Sequence, residues 1–281
     1  MKRQVEKAVR RFQMFTHSDK ILLPVSGGKD SIALWDILLK LHFKVHALHV
    51  QLGISEYSEK SADITKRFSE EKNAKLTIVN INEEYGFNIP LAVEKTKLPA
   101  CSICGTTKRY VYNKFAQKEN MDVIVTGHNM DDLAAQLRHS SSTWDLEGML
   151  ATYPVRPGKQ GLIKRAKPLV YLTEKETLTY VITQKLPVFL EECPFSQGAW
   201  SIVEKQELNR IENKKPGFKY QYLTQFYKKA YPAIYEFEEK KKIKNDIKLK
   251  SCKICGAPTV KDYCWFCRTR AKILDIKLET N

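Results

Sequence analysis

"LLPVSGGKDSIAL", residues 22–34, is an apolar run that breaks at Ser26-Gly27-Gly28-Lys29-Asp30-Ser31 and then resumes with apolar residues at helical spacing. The break predicts a strand giving way to a helix. Two glycines let the backbone bend tightly and approach a ligand with no side chain in the way, and the new helix presents unpaired N–H groups to an anion. A phosphate is the natural occupant. Neither the Walker spacing nor the dinucleotide fingerprint is present, so the loop is of another kind.

Outward from this loop, strand-like runs stand at KILLPV (20–25), KVHALHV (44–50), LTIVNI (76–81) and DVIVTG (122–127), alternating with helical segments at about 31–41, 57–73, 104–119 and 130–140. The alternation predicts an α/β fold, a doubly wound parallel sheet with ligands bound outside the carboxyl ends of its strands. Residues 143–170 show no clear period, and Thr173 with Glu176 then forms a capping box for a helix to about Lys185. A mostly helical stretch follows at 198–243, and the charged run at 238–250 reads as helix end and linker. The expected division is a basic N-terminal helix (1–19), the main domain (20–197), a helical extension with basic linker (198–250) and a small C-terminal module (251–281).

Lys and Arg exceed Asp and Glu by 47 to 32, a formal charge of +15 over 281 residues, which attracts polyanions without choosing among RNA, DNA and an anionic membrane. No apolar stretch approaches the ~20 residues that cross a bilayer, and the N-terminus lacks a signal-peptide core. A cytoplasmic protein without a membrane partner is expected. Seven cysteines fall in Cys-x-x-Cys pairs at 101/104, 252/255 and 264/267 with Cys193 alone, a pattern of metal or sulfur chemistry rather than of disulfides.

Cys252, Cys255, Cys264 and Cys267, with eight residues between the pairs, suit tetrahedral zinc, a second iron-sulfur site being the alternative. Trp265 and Phe266 either pack on the main domain or stack on an RNA base, packing being the expectation because exposed aromatics are the exception. Cys101 and Cys104 are expected on a turn leading into a helix whose dipole favours thiolates, with Cys193 as a third partner. Three thiolates can hold a 4Fe-4S cluster with one iron lacking a protein ligand, or a cysteine pair can carry sulfur as a persulfide.

Over about residues 20–200 the sequence resembles the N-type ATP pyrophosphatases, the PP-loop enzymes, which split ATP into AMP and pyrophosphate while adenylating a carbonyl oxygen. The family's Ser-Gly-Gly-x-Asp-Ser loop is matched by Ser26, Gly27, Gly28, Asp30 and Ser31. HALHVQLGI (46–54) looks like the segment whose backbone reads adenine, which implies Leu52, Gly53 and Ile54. VTGHNMDDLAAQ (125–136) looks like the segment that places Gly127 at the nucleotide and Asp131 and Asp132 at magnesium, although Leu133 stands where relatives commonly carry Glu.

Within the family the sequence is similar to the tRNA 2-thiolation branch, through Cys101, Cys104, Gly105, Lys108, Arg109 and Tyr110, then Asp131 and Asp132, then Cys193-Pro194, with KRAKPLVYLTEKET (164–177) alongside. The resemblance implies an ATP-dependent tRNA 2-thiouridine synthetase that adenylates the C2 oxygen of a loop pyrimidine and replaces it with sulfur. It implies ATP, Mg2+, a 4Fe-4S cluster on Cys101, Cys104 and Cys193, and Zn2+, with Lys108 and Asp132 joining the cysteines in catalysis. tRNA is the implied partner, with a sulfur donor that is a small-molecule sulfide, a persulfide protein or a ubiquitin-like carrier, and a homodimer is left open. Similar thiolases usually carry a zinc ribbon at each end; this sequence shows one at the C-terminal end and a basic helix at the other. The tRNA position stays open among T-loop uridine, wobble uridine and anticodon-loop cytidine. Two alternatives stand beside this reading. A different adenylating PP-loop ligase has no reason to group three cysteines, and a non-catalytic ATP-sensing RNA-binding protein has no need of the intact loop.

Overall fold

A computed structural model describes residues 1–159, 161–196, 198–244 and 249–278. After helix α1 (Lys2–Arg11), the chain alternates β1 (Ile21–Pro24), α2 (Lys29–Lys40), β2 (Val45–Gln51), α3 (Ser55–Glu71) and β3 (Leu76–Asn80). Short helices α4 (Ile81–Tyr85) and α5 (Ile89–Thr96) lead to the long α6 (Ala100–Lys118), then β4 (Val123–Val125), α7 (Met130–Ser142) and α8 (Leu146–Leu150). The central strands are continuous apolar runs because helices cover both faces of the sheet. Ile21, Leu22 and Leu23, for instance, are wholly buried.

The aperiodic stretch at 143–170 contains two strands too short to read by alternation, β5 (Val155–Arg156) and β6 (Lys164–Ala166). They complete a six-stranded sheet of order β3-β2-β1-β4-β6-β5, parallel except for β5 on the edge. The order reverses between β1 and β4, which puts the ligand crevice at the carboxyl ends of these two strands. Helix α9 (Glu174–Thr183) starts at the expected capping box and is pinned to α2, where Tyr180 donates to Asp36 Oδ2 (2.6 Å) and Lys40 pairs with the same oxygen (2.7 Å).

The helical extension is α10 (Trp200–Lys214), α11 (Phe218–Gln225) and α12 (Tyr231–Lys244); Leu208, Leu223 and Phe226, the last in the turn between α11 and α12, join α1 and one sheet face in a single apolar core. Of the basic run at 238–250, residues 245–248 lie outside the described residues. A two-stranded ribbon, β7 (Lys250–Ser251) with β8 (Pro258–Thr259), and helix α13 (Trp265–Ile273) form the C-terminal module, whose Phe266 and Ile273 enter the core on the other sheet face. Among the described residues no helix is long and apolar enough to cross a membrane.

Candidate active site

The loop between β1 and α2 is shaped by contacts that only glycine admits. Gly27 has φ +75°, and a Cβ there would lie 2.8 Å from the Ser61 carbonyl oxygen. Gly28 is the extended N-cap of α2, leaving that helix's first amides to face the crevice. Ser31 fixes the turn: its Oγ accepts from the Ser26 amide (3.2 Å) and donates to the Gly28 carbonyl (3.0 Å). Gly127, after β4, packs against the start of α2, where a Cβ would lie 3.1 Å from the Ser31 amide nitrogen. The two loops at the switch point therefore form one surface.

Asp30 ties that surface together. Its Oδ1 accepts from Asn129 Nδ2 (3.2 Å) and Thr177 Oγ1 (2.5 Å), and its Oδ2 pairs with Lys29 (2.9 Å), so α2, α7 and α9 meet on one carboxylate. Asn129 caps α7 reciprocally with Asp132. The adenine-side residues are held rigidly. Leu52 and Ile54 are buried, and Gly53 has φ +66° with a would-be Cβ 2.6 Å from Asn88 Cβ. The Leu52 carbonyl accepts from Ile89 (3.1 Å) and the Ile54 amide donates to Ser58 Oγ (2.9 Å).

The structure separates the two adjacent carboxylates. Asp131 is buried in an ion pair with Lys219, which also donates to Asn209, and its other oxygen accepts from the Glu174 amide (2.8 Å). Asp132 is partly open to the crevice, paired with Lys205 (2.5 Å), which also reaches Glu174 (2.7 Å). Burial works against the Asp132 charge, but Lys205, His128 and the Asn129 amide hold its carboxyl below the usual range. Lys205 and Lys219 carried no sequence signal, being single lysines on helices about which no motif speaks. Glu174 and Thr177 lay inside the 164–177 resemblance without being singled out.

Cys101 and Cys104 lie within the first two turns of α6 rather than on a turn before it, because Pro99, with its fixed φ, is the N-cap and starts the helix at Ala100. Cys193 arrives from a segment anchored to the phosphate loop, the Phe189 amide donating to the Gly27 carbonyl (2.9 Å). Cys101 Sγ lies 3.8 Å from the Phe195 carbonyl oxygen, two residues past Cys193. Burial, then the charges of Cys104 and Cys193, push the Cys101 thiol up, so both other sulfurs act on it. Such a set suits a cationic iron cluster. Burial opposes the charge of Lys108, yet the neighbouring Cys104 sulfur, which it hydrogen-bonds, raises its pKa above that of an ordinary lysine. Beneath lies His49, whose Nδ1 meets the Val25 carbonyl (3.0 Å) and whose Nε2 is buried without a partner.

On the opposite side of α6 stand the other four cysteines, with all Sγ atoms within 4.8 Å of one another. Cys264 N–H points to Cys252 Sγ (3.3 Å) and Cys267 N–H to Cys264 Sγ (3.4 Å). A hydrogen bond from the Cys267 thiol brings the Cys264 thiol down to about 5. Four preorganised sulfurs with amide donors behind them fit a tetrahedral metal site. Phe266 packs rather than projecting, stacked on Tyr110 at 3.7 Å between ring centres.

The PP-loop domain family model matches residues 1–193. The chain is 39% identical over 95% of its length to a tRNA-5-methyluridine(54) 2-sulfurtransferase of Thermus thermophilus, covering 81% of that protein. It is 40% identical over 95% of its length to the enzyme of the same name from Pyrococcus horikoshii, covering 83% of it. Among solved structures, the U34-tRNA thiolase NcsA of Methanococcus maripaludis, described with its 4Fe-4S cluster, superposes with a TM-score of 0.78 at 24% identity, over 100% of this chain and 89% of that one.

Proposed function

Because the chain belongs to the PP-loop family, in the group of the tRNA 2-sulfurtransferases, we propose that it replaces the C2 oxygen of 5-methyluridine 54 in tRNA with sulfur at the expense of ATP. One observation carries the reading: the segment that brings in Cys193 is tied to the phosphate loop by the Phe189–Gly27 hydrogen bond, and Cys101 on α6 lies against the Phe195 carbonyl of that same segment. A nucleotide-binding ligase without sulfur chemistry has no use for the second centre.

In this reading the amides at the start of α2 hold the phosphates of ATP, and the rigid Leu52–Ile54 segment lies at the adenine. The C2 oxygen of the base attacks the α-phosphorus, pyrophosphate leaves, and sulfur then displaces AMP from C2. Asp132 is the carboxylate placed to hold Mg2+, which when bound neutralises phosphate charge, while Asp131 fixes α7 to α9 and α11. Lys108, kept charged beside Cys104, faces the charge that develops on the adenylated base. Cys101, Cys104 and Cys193 would hold a 4Fe-4S cluster, which when bound would supply Lewis-acidic iron for sulfur chemistry. The four C-terminal cysteines hold Zn2+ as a structural ion. A sulfide or the thiocarboxylate of a ubiquitin-like carrier delivers sulfur at the sulfide level, while a persulfide protein would also need a thiol that reduces the resulting mixed disulfide, and the compartment is the cytoplasm, where thiols stay reduced.

The test is anaerobic reconstitution of the enzyme with iron and sulfide, followed by incubation with ATP, a sulfide source and tRNA carrying 5-methyluridine 54. Nucleoside mass spectrometry should show 5-methyl-2-thiouridine, with one AMP formed per sulfur inserted. Formation of AMP and pyrophosphate without any 2-thionucleoside would overturn it.

A further inference from the structure

Four cations, Arg109, Arg156, Arg165 and Lys167, gather where α6 meets β5 and β6, Arg109 being near Cys104 and Lys167 near Asp132, and the reaction derived above uses none of them. Arg156 on β5 and Arg165 on β6 are direct cross-strand partners, an arrangement in which like charges destabilise a sheet. Arg109 folds back along α6 over Gly105, where an added Cβ would lie 3.2 Å from its Nη1, which brings its guanidinium toward the Cys104 turn. Lys167, at the inner end of β6, is held by the Ala151 and Tyr153 carbonyls. Among the described residues none of the four forms an ion pair, although Arg156 and Arg109 are exposed enough to reach a ligand.

Their crowding has an electrostatic signature. Burial, then Arg156 and Arg109, bring the Arg165 guanidinium down to about 10. Burial, then Arg156 and Arg165, bring Lys167 down to about 7. Asp132 near Lys167 and Cys104 near Arg109 offset this crowding only in part, so an added anion that relieves it is the physical account of the cluster.

We propose that Arg109, Arg156 and Arg165, with Lys167 at their inner end, clamp the phosphodiester backbone beside the target nucleotide and so hold its base between the nucleotide loop and the cysteine centre. The assignment rests on tRNA being the substrate. Guanidinium forks suit phosphate oxygens, and contacts of this kind fix register without reading sequence. RNA is favoured over the phosphates of ATP because the two arginines at the heart of the cluster lie on β5 and β6. The nucleotide loop belongs to β1 and α2, on the other side of β4.

The test measures tRNA affinity of the reconstituted enzyme by fluorescence anisotropy across salt concentrations, with a tRNA transcript as probe, for the parent, Arg156→Gln and Arg165→Gln. Each variant should weaken tRNA binding about tenfold and lower the slope of log Kd against log salt by about 1. The ATP Kd should stay within about twofold of the parent. Arg156→Lys should recover most of the affinity, and neither Gln variant should melt below the parent. Parent-like tRNA binding in both Gln variants overturns the inference alone, as does a loss confined to ATP, which would assign the clamp to its phosphates. A parent that binds no tRNA overturns the functional reading together with the inference.

Discussion

The two thiol centres stand on opposite sides of α6 and are built on opposite principles. In the C-terminal centre Cys252, Cys264 and Cys267 are buried, backbone N–H groups already point at the sulfurs, and the Phe266–Tyr110 stack seals the module against the helix. In the other centre Cys101 is exposed, its sulfur faces a carbonyl, and burial together with the neighbouring sulfurs pushes its thiol up. Sulfurs surrounded by donors and closed off from solvent hold a fold together; sulfurs left short of donors at a crevice keep their capacity to react.

The comparison breaks most easily at the ligands themselves. Cys264→Ser should unfold the C-terminal module, because metal binding by such small units is worth on the order of 10 kcal/mol and is their folding energy. Loss of the bound zinc, read by a colorimetric chelator, should accompany a lower Tm as the Phe266 seal opens. Cys193→Ala should do the reverse, abolishing 2-thionucleoside formation while the Tm and zinc content stay at the parent values. Equal Tm losses in the two variants would mean that both centres are structural.

A second, smaller test separates the adjacent carboxylates. Lys219→Ala leaves Asp131 buried without its partner, which should cost about 3–5 kcal/mol of stability in urea unfolding. Lys205→Ala, at a less deeply buried pair, should cost less than that. It should instead lower the Mg2+ concentration needed for AMP formation, since the Lys205 ammonium stands between Asp132 and Glu174 where a divalent cation would compete. A raised Mg2+ requirement would show that this lysine holds phosphate rather than the cation position.

What the sequence revealed and what it hid follow the range of the interactions. The phosphate loop, both cysteine pairs of the module and the Cys101 pair are local patterns, because a tight turn or a chelate needs its residues within a few positions of one another. The parallel order of β1 to β4 was legible from apolar runs alternating with helices. Strands β5 and β6 were not, since two or three residues cannot display a period of two. The inequality of Asp131 and Asp132 was hidden for a different reason. It is imposed by lysines 88 and 73 positions away in sequence, brought back by helices that pack on α7 through Leu208 and Leu223.

The smallest effect tests the floor beneath the open centre. His49 is buried on β2, with one ring nitrogen on the Val25 carbonyl just before the phosphate loop, and Lys108 and Lys66 add positive charge nearby. Burial, only partly offset by the Val25 bond, brings its pKa down to about 4 from an ordinary 6.5. The unfolded chain therefore takes up a proton in this window that the folded chain refuses. Stability contributed above pH 6.5 is lost as the pH falls toward 4, by about 3 kcal/mol in all at 1.36 kcal/mol per pH unit. Metal release by protonated thiols will also destabilise the enzyme in acid, but equally in the parent and in His49→Gln. The gap between their urea-unfolding free energies should accordingly narrow by about 3 kcal/mol between pH 7 and pH 4. A gap that stays constant across that range would mean that the His49 ring takes up its proton without leaving the fold, through a partner at Nε2 such as an ordered water.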